Sequence, residues 1–299
     1  MPINLKGSMV AIVTPMHSDG QLDMSAFNRL VEWHHSEGTS AIVVVGTTGE
    51  SATLSTQEHC DLVSSCVEAA KKRIPIIAGT GSNSTEEALY FTSSAKECGA
   101  DACLLVTPYY NRPSQEGLFQ HFKLIAESVA IPQILYNVPS RTGCDMELQL
   151  VDRLASIDNI IALKDATGDI VRGKQLIEKC GDRIDIYSGE DAVTLELMSF
   201  GASGTISVTA NVAPRLMSEM CNLALEGEFE SARALDAQLV SLHKSLFLEA
   251  NPIPVKWALN KMGKIDRGIR LPLTELNDKF HVEVTEALRK AKISFSNLG

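Results

Sequence analysis

The chain has 299 residues, 44% of them hydrophobic and 21% charged, with a formal net charge of −10 at neutral pH. That composition suits a globular protein in water, and the length fits two domains or one large α/β barrel. The acidic balance argues against a nucleic-acid partner, which needs a basic face, and requires any anionic substrate to find local positive groups.

Short apolar runs recur at 9–14, 41–46, 74–79, 102–107, 133–138, 160–164, 184–188 and 204–208. Helix-patterned stretches separate them, at the spacing of successive βα units. Near-continuous apolar strands of this kind are buried on both faces of a sheet. Ser55 with Glu58 and Ser84 with Glu87 have the spacing of helix capping boxes, and Gly38, Gly99, Gly181 and Gly201 stand where helices should stop. Pro214 opens a further helix after the eighth strand, and only helical patterns follow. Eight units predict an α/β fold, a (β/α)8 TIM barrel over residues 1–225, with residues 226–299 as a C-terminal helical extension.

The opening residues hold only a brief apolar run before Thr14 and Pro15, too short for a signal peptide or membrane span, so a cytoplasmic protein with no membrane partner is expected. The seven cysteines (60, 66, 98, 103, 144, 180 and 221) form no C-x-x-C pair, and the seven histidines show no H-x-x-x-H spacing. Neither a disulfide frame nor a zinc site is expected, and no metal or other cofactor. His34 and His35, beside Trp33, read as packing or surface residues. The first βα turn lacks G-x-G-x-x-G, so nothing favours a dinucleotide.

In a barrel, the residues at the C-terminal ends of the strands line the active site. Those ends carry Gly46-Thr47-Thr48-Gly49-Glu50, Thr107-Pro108-Tyr109-Tyr110, the stretch from Tyr136 through Asn137 to Arg141, Lys164, Gly189-Glu190 and Ser207-Val208-Thr209. The set is hydroxyls, tyrosines, glycines, one arginine and one lysine, which suits imine chemistry better than hydrolysis or metal catalysis. Lys164 closes an apolar run, an unusual place for a flexible cation. A free lysine amine titrates near pH 10.4, so only about one in a thousand is nucleophilic at neutrality. Burial can lower that value toward roughly 7–8, the setting for a Schiff-base lysine. The residues alone leave open a lysine that snorkels out of a strand end. They equally leave Tyr109 and Tyr110 as packing aromatics and the G-T-T-G turn as a plain loop.

Six segments carry a resemblance: GTTGESATL at 46–54, PYYNRPSQEGL at 108–118, ILYNVPSRTG at 134–143, IIALKDATG at 160–168, GTISVTANV at 204–212 and NPIPVKWAL at 251–259. Together they span nearly the whole chain, which resembles the dihydrodipicolinate synthase family of pyruvate-dependent aldolases and lyases, a group that includes N-acetylneuraminate lyase. The resemblance implies condensation of pyruvate with L-aspartate-4-semialdehyde to 4-hydroxy-tetrahydrodipicolinate, in diaminopimelate and lysine biosynthesis, without a cofactor. It makes Lys164 the Schiff-base residue and Tyr136, Thr47 and Tyr110 a proton relay, with Tyr110 supplied by a neighbouring subunit. Thr47 and Thr48 would hold the pyruvate carboxylate, Gly189 would give the substrate room, and the Ile206 carbonyl would face the lysine. Arg141 would grip the carboxylate of the semialdehyde through its guanidinium fork. Lys256, the other lysine in an apolar setting, falls in the helical extension and reads as structural.

The resemblance also implies a homotetramer built as a dimer of dimers, and an inhibitory L-lysine site made of Ser51, Ala52, His59, Asn83, Glu87 and Tyr109. Position 56 is Thr, where lysine-sensitive relatives carry His, a departure that counts against inhibition. Glu87 could instead serve its helix cap. Two rival readings are another pyruvate lyase acting on sialic or keto-deoxy sugar acids, and a non-catalytic lysine-sensing protein on the same fold.

Overall fold

The computed structural model describes residues 5–295. Its centre is a closed barrel of eight parallel strands in sequential order. They are β1 (Gly7–Ala11), β2 (Ala41–Val44), β3 (Ile76–Gly79), β4 (Ala102–Val106), β5 (Gln133–Asn137), β6 (Ile160–Asp165), β7 (Asp185–Ser188) and β8 (Gly204–Ser207). β8 closes on β1 with Gly7 opposite Gly204 and Met9 opposite Ile206. The helices are α1 (Met24–Ser36), α2 (Thr56–Ala70), α3 (Thr85–Glu97), α4 (Gln115–Ser128), the single turn α5 (Pro139–Thr142), α6 (Leu148–Leu154), α7 (Ile170–Cys180), α8 (Thr194–Ser199) and α9 (Pro214–Leu225). Beyond them lie α10 (Phe229–Ser245), α11 (Ile253–Lys261) and α12 (His281–Lys290).

The strand side chains alternate, as a period of two requires. Met9, Ala11, Val43, Leu104, Ile134, Tyr136, Ala162, Tyr187 and Ile206 fill the barrel. Val10, Ile42, Val44, Leu105, Leu135 and Leu163 face outward and pack with Phe27 of α1, Leu62 of α2 and Phe122 of α4. Each such residue taken fully out of water contributes roughly 1.5–3 kcal/mol before conformational entropy is set against it. The same parity decides where the chemistry sits. Ala162 points in, so Lys164, two residues later at the C-terminal end of β6, also points in. Its register partners are Tyr136 on β5 and Tyr187 on β7.

Two details depart from the sequence expectation. β1 begins at Gly7 and ends at Ala11; the Ile12 amide still donates to the Val43 carbonyl of β2 at 3.0 Å. From there the chain takes partners outside the ladder: the Val13 amide donates to Asn211 Oδ1 at 3.1 Å and the Thr14 hydroxyl to the Gly49 carbonyl at 2.7 Å. The capping box forms at Ser55 and Glu58. At α3 only half of it exists: Ser84 Oγ accepts from the Glu87 amide, but the Glu87 carboxylate turns to the Ser82 hydroxyl.

The expected boundary after residue 225 falls in the loop between α9 and α10; residues 1–4 and 296–299 lie outside the described part. Leu239, Leu242 and Leu246 of the α10 segment and Val284 and Leu288 of α12 join the same apolar cluster as Met217 of α9 and the barrel helices. The extension therefore packs into the barrel's own outer core.

Candidate active site

At the end of β2 the chain makes an abrupt turn. Val45 takes a left-handed conformation, φ 50°, which is strained for a β-branched residue. Gly79 makes room for it, since a Cβ there would lie 2.5 Å from the Val45 carbonyl oxygen. The turn delivers Thr47 and Thr48 to the C-terminal mouth of the barrel.

A cavity of about 140 Å³ opens there, lined by Thr47, Thr48, Tyr136, Arg141, Lys164, Gly189 and Glu190 among others. It is large enough for a small keto acid. Lys164 is 5% exposed, and its Nζ stands 4.3 Å from the centroid of the Tyr136 ring. Burial is the main reason its pKa falls to about 8; Arg141 pushes the same way, while Asp191 and Glu190 oppose it. A useful fraction of the amine is thus unprotonated near neutral pH. Burial pushes the Tyr136 phenol up from its ordinary value, against the opposing effects of Arg141 and of its hydrogen bond with Thr47. The phenol stays protonated and can donate to an oxygen or nitrogen on the substrate.

Gly189 lies directly against the lysine. A Cβ there would sit 2.9 Å from Lys164 Cε and 2.6 Å from the Ala166 Cβ, so only glycine leaves the amine its place. Arg141 rides on the α5 turn after β5, and its Nη2 donates to the Asn251 carbonyl at 3.4 Å. Asn251 in turn donates from Nδ2 to Thr48 Oγ1 at 2.9 Å. This asparagine and Phe247, also in the cavity wall, come from the segment joining α10 to α11. The sequence reading assigned neither a role. The only pointer was the conspicuous NPIPVKWAL segment that Asn251 opens.

Thr47, Thr48, Tyr136, Arg141, Lys164 and Gly189 are therefore gathered in one cavity. Ile206 buries its side chain inside the barrel, and Val208, two residues further on, lines the cavity. Tyr110 stands 91% exposed with φ 71°, outside its own chain's cavity. Lys256 is buried in an ion pair with Glu50 and is not in the wall of the cavity that holds Lys164.

A second cavity of about 470 Å³ adjoins the first and shares Thr47, Val138, Arg141 and Asn251 with it. Its wall includes Ser51, Ala52, Thr56, His59, Glu87 and Tyr109. Asn83 is not in that wall; its carbonyl accepts from Asn111 Nδ2 at 2.8 Å. His59 stacks on Phe91 with ring centroids 4.1 Å apart, and burial lowers its pKa to about 4, so it presents a neutral ring. Among the described residues no helix is long and apolar enough to cross a membrane.

Barrel and cavity together define a lysine-centred (β/α)8 enzyme, in the class of aldolases and lyases that work through an imine. The chain belongs to the dihydrodipicolinate synthetase family, whose family model matches residues 4–291. It is 58% identical over 287 residues to the 4-hydroxy-tetrahydrodipicolinate synthase of Nitrosococcus oceani, covering 96% of this chain and 98% of that protein. The crystal structure of the chloride-inhibited dihydrodipicolinate synthase of Acinetobacter baumannii, complexed with pyruvate, superposes with a TM-score of 0.96 at 54% identity, covering 97% of this chain and all of that one. A more distant relative from Cyanidioschyzon merolae, solved with lysine bound, has a TM-score of 0.94 at 35% identity, over 97% of this chain and 99% of that one.

Proposed function

We propose that the chain is a 4-hydroxy-tetrahydrodipicolinate synthase, condensing pyruvate with L-aspartate-4-semialdehyde. The observation that carries this reading is the buried amine of Lys164, 4.3 Å from the Tyr136 ring in a cavity that also holds Thr47, Thr48 and Arg141. The unprotonated amine attacks the ketone of pyruvate. The Tyr136 hydroxyl, hydrogen-bonded to Thr47, gives the proton that lets water leave. The phenolate so formed takes a methyl proton from the protonated imine, which becomes an enamine as the phenol is restored. Thr48, steadied by Asn251, and the backbone amides of its turn receive the pyruvate carboxylate. The enamine carbon then attacks the aldehyde of the second substrate, whose carboxylate Arg141 holds. The amine of that substrate finally displaces Lys164 and closes the ring. The order is ping-pong, and the protonated imine is the electron sink.

The exposed Tyr110 completes the proton path only from a neighbouring copy, which supports reading the working form as an oligomer, a tetramer of paired dimers. The second cavity fits L-lysine: Glu87 would meet an ammonium group, Tyr109 would pack on the side chain, and the lysine-bound relative supports the same use. Asn83 would reach it only after a local shift.

The test is pyruvate-dependent turnover of L-aspartate-4-semialdehyde, coupled to the reductase that consumes the product. Strong turnover is expected from the parent and almost none from Lys164→Ala. A Lys164→Ala enzyme of full activity would end the scheme. An inactive parent that borohydride still links to pyruvate would move the reading to a sugar-acid lyase.

A further inference from the structure

We infer that Glu190 is a second proton-transfer residue: it receives the ammonium group of the second substrate, removes a proton from it, and so frees the amine that displaces Lys164. This rests on the synthase reading above and adds a residue and a step to it.

The chemistry of the last step requires a base. An amine attacks an imine carbon only through its lone pair, and the substrate's ammonium has none. Tyr136 is poorly suited to take that proton at neutrality, because burial holds its phenol protonated. Lys164 is tied up in the imine. Among the residues lining the cavity, Glu190 is the only carboxylate. It is half-buried, and its carboxylate oxygens have no hydrogen-bond or ion-pair partner among the described residues. With Arg141 in the same wall, the cavity offers one guanidinium and one free carboxylate. That is the complement of an amino-acid zwitterion, and pyruvate alone has no use for the negative half.

The fold fixes Glu190 in place. Its amide donates to Ser188 Oγ at 3.2 Å, and the Ser188 hydroxyl donates back to the Glu190 carbonyl at 2.7 Å. Thr205 anchors Ser188 from β8, donating to its carbonyl at 3.0 Å. The neighbouring Asp191 turns away from the cavity and accepts the Val208 and Thr209 amides at 3.0 and 2.8 Å. Glu190 thus faces the site while Asp191 serves the backbone behind it. Burial, and the charge of Asp191, raise the Glu190 carboxyl from its ordinary value; His243 of α10 and Lys164 of β6 pull the other way. Arg141 of α5 and Tyr136 of β5 complete the groups around it.

The step balances. A proton passes from the substrate ammonium to the Glu190 carboxylate, and the freed lone pair forms a bond to the imine carbon. The resulting aminal shifts one proton from the new nitrogen to Lys164 Nζ. The bond from carbon to Nζ then breaks with its electron pair going to Nζ, and the proton held on Glu190 passes to the departing amine. The product imine and a charged Lys164 remain, and no oxidant or co-reactant is used.

Ping-pong kinetics separate the two halves of the reaction, so the test is clean. In Glu190→Gln, kcat/KM for pyruvate and borohydride trapping of pyruvate on Lys164 should stay within about threefold of the parent. In the same variant, kcat/KM for the semialdehyde should fall roughly a hundredfold, the usual size of a general-base contribution. The acid limb of its pH profile should vanish, and Glu190→Asp should recover part of the rate. The desamino analogue 4-oxobutanoate should inhibit the parent and Glu190→Gln equally, because it offers no ammonium. An unchanged kcat/KM for the semialdehyde in Glu190→Gln would overturn the inference, as would a parallel loss of both specificity constants. A parent enzyme unable to use the semialdehyde would instead remove the synthase reading beneath it.

Discussion

Replacing Gly189 by alanine adds one methyl group at a point where the structure leaves no space. The new Cβ would stand 2.9 Å from Lys164 Cε and 2.6 Å from the Ala166 Cβ. Carbon atoms settle at roughly 3.5–4.0 Å, so the lysine tip must give way by about 0.7 Å and the Ala166 segment by about 1 Å. Gly189 has no left-handed φ, so alanine brings a pure clash and no backbone strain. Overpacking of this kind costs roughly 1–3 kcal/mol of stability, which a fold of this size survives. The larger effect is on geometry: a misplacement of about 1 Å costs a reacting group on the order of a hundredfold in rate, equal to about 2.7 kcal/mol of barrier. The assay is the coupled turnover measurement, with borohydride trapping to time imine formation and thermal unfolding to confirm folding. Both turnover and trapping should slow together, because the displaced atom belongs to the amine proposed to form the imine. A folded Gly189→Ala enzyme within twofold of the parent would refute the reasoning.

Three further outcomes are expected. Lys164→Met should be more stable than the parent by a few kcal/mol below pH 8, since the parent must bury a charge there; the native lysine titrates near 8 against an ordinary 10.5, so the gap should shrink as pH rises through that window, as urea melts at several pH values would reveal. Lys256→Ala strands the Glu50 carboxylate, only 1% exposed, and should cost about 3–5 kcal/mol in denaturant midpoints while pyruvate is still trapped on Lys164; loss of trapping in a folded variant would make Lys256 the imine residue instead. L-lysine at millimolar concentration should bind by calorimetry and inhibit, and Glu87→Gln should weaken both, whereas equal binding to that variant would place the ligand elsewhere.

The barrel was legible because strand rhythm follows from chain geometry: buried parallel strands must be short and apolar, with a helix between each pair. Lys164 was legible as a cation where such a strand should end, and the rule that strand C-termini carry the chemistry then brought Thr47, Thr48, Tyr136, Arg141 and Gly189 onto one face. The misses have a common cause. β1 ended early because Asn211 and Gly49, distant in sequence, captured Val13 and Thr14. Glu87 abandoned its half of a capping box because Ser82 stood closer in space.

By itself, the sequence determined the fold class and the family and singled out Lys164 as the candidate amine, all of which rest on local pattern and residue type. Only the tertiary structure decided that Asn251 ties Thr48 to Arg141, that Glu50 neutralises Lys256, and that Glu190 faces the cavity while Asp191 turns away. The bond between Asn251 and Thr48 and the one between Lys256 and Glu50 each join residues about two hundred positions apart. No local periodicity encodes such a meeting, which exists only once the barrel closes and the helical extension folds back over its mouth.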